Sequence, residues 1–177
     1  MFQEEVNSSQ SYFHAKPRVY VTNLRAWKRE LAMNENDRGL VLKDKRYLNP
    51  RIGTKYFAES KATARAELGA RAEQGQGRPL RNFKRFLAFE VVFKPETEVF
   101  SMVTARHASA KLRAEYGVTF AQCQDADRYE ASIRLAEQVI PQYAGVKYPS
   151  VRRREGHCLA MCFPERDIHA CIDTGDL

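Results

Sequence analysis

Tyr56, Glu67 and Ser150, with Arg46, Arg51 and Arg152, are the side chains whose types and order could act on an anionic ligand. Tyr56 falls in a short strand-like run and Glu67 on the alanine-rich segment after it. A strand–turn–helix unit can fold both side chains towards one cleft, which would make Glu67 a buried acid beside a ligand. Its ordinary alternative is a solvated helix charge paired with Arg71 four residues on. Arg46 and Arg51 lie in KRYLNPRIG, before the strand. Loop arginines usually face solvent, yet their planar fork also suits a two-point grip on phosphate. Ser150 follows Tyr148-Pro149 and reads either as a turn or cap residue or as a hydroxyl that binds a substrate or orients an attacking group. It lacks the GxSxG setting of a hydrolase nucleophile. Spacing alone leaves each pair of readings open.

These residues need a scaffold, and the pattern supplies one. RVYVTN (residues 18–23) predicts a first strand, rich in β-branched and aromatic residues. Residues 24–33 have helical spacing, with Leu24, Trp27 and Leu31 on one side. TKYFAES (54–60) predicts a short strand, and Ser60 an N-cap for the helix KATARAELGARAEQ. GQGRP breaks that helix. RFLAFEVVF (85–93) is the clearest strand and ends at Lys94-Pro95. Helices are expected over 105–116, stopped by Gly117, and over 127–140, stopped by Pro141. The chain closes with YPS, a strand in HCLAMCF, and a further strand in IHACI. Strands and helices mix without strict βαβ alternation, so the expected class is α+β. The polar start MFQEEVNSSQSYFHAK reads as a flexible arm over residues 1–16, leaving a single domain over 17–177.

Bulk properties narrow the field. At 177 residues, 44% hydrophobic and 29% charged, the chain is an ordinary globular one. No apolar run reaches the roughly 20 residues of a membrane span and no signal-peptide core is present, so a cytoplasmic protein without membrane contact is expected. Four cysteines occur, none in a CxxC pair. Cys158 and Cys162 lie in a run apolar on both faces, which favours core packing over zinc ligation; no metal is expected. The formal charge of +7 favours anionic partners. The basic residues are scattered without interleaved aromatics, which makes nucleic acid the weaker partner class. No GxGxxG or Walker motif appears.

Two stretches, RYLNPRIGTKYFAESKATARAELGAR and YEASIRLAEQVIPQYAGVKYPSVRRREGHCLAMCFPE, together resemble the RES-domain family, named for its Arg, Glu and Ser. The shared order is an arginine, an Asn-Pro loop, a strand tyrosine and a helix glutamate, then a glycine-led strand ending in Pro-Ser with an arginine close behind. The resemblance implies an ADP-ribosyltransferase-like mixed β-sheet core flanked by helices. It implies catalytic roles for Arg46, Tyr56, Glu67 and Ser150, with Arg51 and Arg152 helping to hold the substrate. The family commonly places an arginine directly after an aromatic in its first strand. Here Tyr20 is followed by Val21, and Arg18 or Arg25 would substitute. The implied activity is that of a toxin of a toxin–antitoxin pair: cleavage of the nicotinamide–ribose bond of NAD by phosphorolysis or hydrolysis. NAD is then a substrate, inorganic phosphate a co-substrate, and no cofactor is permanently bound. The implied partner is a helix-turn-helix (Xre-type) antitoxin. Two alternatives are a mono-ADP-ribosyltransferase acting on a protein or nucleic acid, and a non-catalytic basic nucleic-acid-binding module.

Overall fold

The computed structural model describes residues 2–32, 47, 54–76, 83–125 and 128–177. Among them the chain runs β1 (Gln3–Glu5), β2 (Ser11–Pro17), α1 (Leu24–Ala32), β3 (Lys55–Ala58), α2 (Lys61–Gln76), β4 (Phe86–Phe93) and β5 (Glu98–Ser101). Four helices follow, α3 (Met102–Ala105), α4 (Ser109–Tyr116), α5 (Phe120–Gln124) and α6 (Glu130–Val139). The chain ends with β6 (Gly145–Pro149), β7 (His157–Met161), α7 (Pro164–Asp167) and β8 (Ile168–Asp176). The strands form one eight-stranded sheet in the order β1-β5-β6-β7-β3-β2-β4-β8. Only the β5–β6 neighbours run parallel; the other seams are antiparallel. A mixed sheet with helices on its faces is the α+β architecture expected.

Strand alternation divides the core in two. In β7, Cys158 and Ala160 point to one face while Leu159 and Met161 point to the other; in β3, Ala58 and Phe57 part in the same way. This is why HCLAM is apolar at every second position in both registers: both faces of β7 are covered. The first core joins Phe100, Met102, Leu112, Leu135 and Val146 beneath the helices that follow β5. The second joins Phe89, Phe93 and Leu159 to Trp27 and Leu31 of α1. Trp27 is fully buried and stacks on Phe89 at 4.7 Å and 8°. Truncating such a side chain to alanine typically costs about 3–5 kcal/mol. Asn23 starts α1 by accepting the Ala26 amide at 2.9 Å, and Gly117 ends α4 in the left-handed region, φ 68°.

The N-terminal segment is not an arm. Residues 3–5 pair with β5 and residues 11–17 pair with β4 over seven positions, near the middle of the sheet. Phe2 is buried against the Phe100 and Tyr116 rings. The sequence hides this because β1 is only three polar residues long and β2 alternates buried Tyr12 and His14 with partly exposed neighbours. The first strand is therefore SYFHAKP. Residues 18–20 of the expected strand RVYVTN form a turn, with the Tyr20 and Val21 amides both bonded to the Pro17 carbonyl. Val19 and Tyr20 stand exposed there, and Val21 alone enters the core.

Candidate active site

The site begins with an incomplete seam. β3 pairs with β7 through four consecutive residues but with β2 only at Phe13–Ala58. Continuing that register would set Ala15 opposite Tyr56 and Pro17 opposite Thr54, yet the strands separate. A cavity of about 250 Å³ opens in the gap, lined by residues 13–17 of β2 and 54–58 of the β3 segment. Because neighbouring residues on a strand face opposite ways, the cavity reaches both faces of the sheet. His14 spans the gap. Its Nδ1–H donates to the Tyr56 carbonyl at 2.9 Å; a carbonyl only accepts, so the proton sits on Nδ1. The imidazole is buried, with Phe57 at 5.0 Å and Trp27 at 6.0 Å.

On the α2 side the cavity is closed by Ala64, Glu67 and Leu68 together with Tyr56, Phe86, Tyr148 and Cys158. Ser60 caps α2 as expected: its Oγ accepts the Thr63 amide at 3.1 Å. Thr63 and Glu67, four apart, share one helix face. Against that face lies the loop between β6 and β7. Gly156 permits the approach, since a Cβ there would lie 2.6 Å from Thr63 Oγ1 and 2.9 Å from its methyl. The loop thereby brings Ser150 to Glu67, and Ser150 Oγ donates to Glu67 Oε1 at 2.6 Å. The same Oγ accepts the amides of Arg152 (3.2 Å) and Arg153 (3.0 Å). A hydroxyl has one proton and two lone pairs, and all three are engaged. Ser150 thus holds the Glu67 carboxylate in place.

The opposite wall carries basic side chains. Lys16, buried Lys55 and His14 line it, with Lys16 paired to Glu30 of α1 at 2.5 Å. Beyond the cavity, polar side chains continue across the sheet. His157 Nδ1 meets Glu59 Oε2 at 2.9 Å. Glu4 accepts Ser101 Oγ at 2.6 Å and pairs with Lys147. Burial would raise the Glu4 carboxyl, but the hydrogen bonds from Lys147 and Ser101 and nearby positive charge outweigh it and hold the group below its ordinary value. Burial pushes the Cys162 thiol up to about 11, a hydrogen bond with Thr54 offsetting part of the effect. Burial, reinforced by Glu4 and Glu59, pushes Tyr12 to about 12. Cys158 and Cys162 are core residues, as the sequence suggested.

Of the sequence-derived set, Tyr56 and Glu67 line the cavity and Ser150 is bonded to Glu67. Arg46 and Arg51 lie outside the described residues. Arg18 is directed away, its guanidinium bonded to Asp176 and, at 2.9 Å, to the Lys84 carbonyl. Exposed Tyr20, Arg25 and Arg152 do not line the cavity. His14, Lys16, Lys55 and Tyr148 were missed. The available signal was in β2: Phe13-His14 is an aromatic followed directly by a histidine, where the pattern sought at Tyr20 was an aromatic followed by an arginine, and it lay in a segment read as an arm.

A chain in the crystal structure of the M. tuberculosis MbcT–MbcA toxin–antitoxin complex has this fold, with a TM-score of 0.59 at 12% identity, over 97% of this chain and 85% of that one. No curated protein matches the chain in sequence. The RES domain model matches residues 23–176, which takes in β3, α2, β6 and β7 while β1 and β2 stand ahead of it. With that match running from α1 through the last strand, the chain belongs to the RES-domain family.

Proposed function

We propose that this chain is an NAD-consuming toxin that cleaves the nicotinamide–ribose bond, acts in the cytoplasm and is neutralised by a helix-turn-helix (Xre-type) antitoxin. The observation that carries the reading is the Ser150–Glu67 hydrogen bond, made across 83 residues of sequence beside a cavity that Tyr56 also lines. A cavity of about 250 Å³ suits the nicotinamide–ribose end of the dinucleotide. The adenine end would lie outside, and the diphosphate would be gripped by cations, with Arg46 and Arg51 as the candidates.

When the glycosidic bond breaks, nicotinamide leaves with the bonding pair and becomes neutral, while positive charge builds on the ribose. The Glu67 carboxylate, with one oxygen fixed by Ser150, is prepared to stabilise that charge without reorganising. The Tyr56 ring offers a face for stacking. Water, releasing a proton to solvent, or phosphate then bonds to the anomeric carbon, giving ADP-ribose or its 1-phosphate. The test is chromatography of NAD incubated with the purified chain, with and without inorganic phosphate. Loss of NAD without a macromolecular acceptor is expected, and a phosphate-dependent second product would assign phosphorolysis. NAD left intact until a protein or nucleic acid is added would shift the reading to a mono-ADP-ribosyltransferase. NAD untouched under every condition would reduce the chain to a basic binding module.

A further inference from the structure

The loop between β6 and β7 carries more charge than its contact with Glu67 requires. Arg152, Arg153 and Arg154 are consecutive and exposed. Among the described residues none of their guanidinium groups is hydrogen-bonded or ion-paired. The loop beneath them is nevertheless fixed. Ser150 N donates to the Gly156 carbonyl at 2.7 Å and Gly156 N to the Arg153 carbonyl at 2.9 Å. Ser150 Oγ takes two more loop amides, and Gly156 sits against Thr63. Val151 is exposed beside the arginines. The backbone that carries these three uncommitted cations and the neighbouring apolar side chain is already ordered, so a partner has only their side chains to immobilise.

We propose that this loop is a docking site for an acidic, amphipathic segment of a protein partner, whose carboxylates pair with the guanidinium groups. The proposal rests on the reading that a protein partner neutralises this chain. Arginine forks match carboxylates in two-point geometry. The charge is concentrated at one short turn, not spread as a stripe with interleaved aromatics, which favours a carboxylate-bearing segment over nucleic acid. Because the loop ends at Ser150, a segment seated on it would lie beside Glu67 and obstruct the cavity.

Fluorescence anisotropy tests this with three labelled probes: a peptide rich in Asp, Glu and Leu, its Asn/Gln counterpart, and a single-stranded oligonucleotide of the acidic peptide's net charge. Each is titrated against the chain and against Arg153→Gln/Arg154→Gln, which leaves the loop backbone and the core untouched. The acidic peptide should bind, the neutral one should not, and the double variant should bind the acidic peptide at least about tenfold more weakly. NAD loss should slow with the acidic peptide in the parent chain and much less in the variant. Absent peptide binding, equal affinity for both chains, or tighter binding of the oligonucleotide would each overturn the proposal. Peptide binding lost in the variant, alongside NAD never consumed by the parent chain, would retain the docking site and reject the toxin reading.

Discussion

The two seams of β3 differ in what holds them. Towards β7 the seam is a four-residue ladder, continued by β7 onto β6, where Gly145 lets the strands close. A Cβ on Gly145 would lie 2.3 Å from the Ala160 carbonyl oxygen. Towards β2 the ladder stops after one pair, and a histidine side chain bonds the backbone across the gap. The closed seam gives the site a fixed wall; the open seam gives it room. A β-sheet has no cavities of its own, so a ligand site within one depends on a pair of strands that begin to zip and then part.

The β6–β7 ladder that backs the closed seam is the more costly to disturb. Gly145→Ala forces a methyl onto backbone oxygen that has no flexible end to yield. We expect a loss of about 2–3 kcal/mol, roughly 5–10 °C in melting temperature for a chain of this size. A melt within a degree of the parent would show that the seam is looser than described. The open seam is bridged by the His14 side chain. His14→Phe preserves ring packing against Phe57 and Trp27 and removes the hydrogen bond to the Tyr56 carbonyl. The expected cost is about 1–2 kcal/mol, read by thermal melts followed through Trp27, the chain's single tryptophan. An unchanged melt would mean the gap holds itself without His14. A third effect is alkaline. Cys162 and Tyr12 are both shifted upward by folding, from 9.0 to about 11 and from 10.0 to about 12. In the unfolded chain these groups ionise first, so stability should fall as pH rises from 9 to 12. Chemical denaturation at pH 8 and pH 10.5 should give a lower midpoint at the higher value, and Cys162→Ser should reduce the difference.

The same contrast explains what the sequence revealed. The closed side is built from runs apolar on both faces, HCLAM and KYFA, and from a helix announced by Ser60, so β3, α2 and β7 were legible. The open side is built from β2, whose His14 and Lys16 are polar because they face a cavity, and polarity in a short strand reads as loop. Arg18, Val19 and Tyr20 carry strand-forming side chains, yet they turn after Pro17. The meeting of Ser150 and Glu67 leaves no trace in local spacing, since a glycine contact on Thr63 produces it; only the family resemblance pointed to it. Short β5 gave no alternation to detect.

In the proposed reaction Glu67, steadied by Ser150, stabilises charge on a ribose in the open seam. The most direct measurement is the rate of NAD loss catalysed by purified Glu67→Gln beside the parent chain, with circular dichroism confirming the same fold. The substitution keeps the size and hydrogen-bonding reach of the side chain and removes the charge. A fall on the order of a hundredfold is expected, about 3 kcal/mol of transition-state stabilisation. A Glu67→Gln chain that folds and consumes NAD at the parental rate would contradict it.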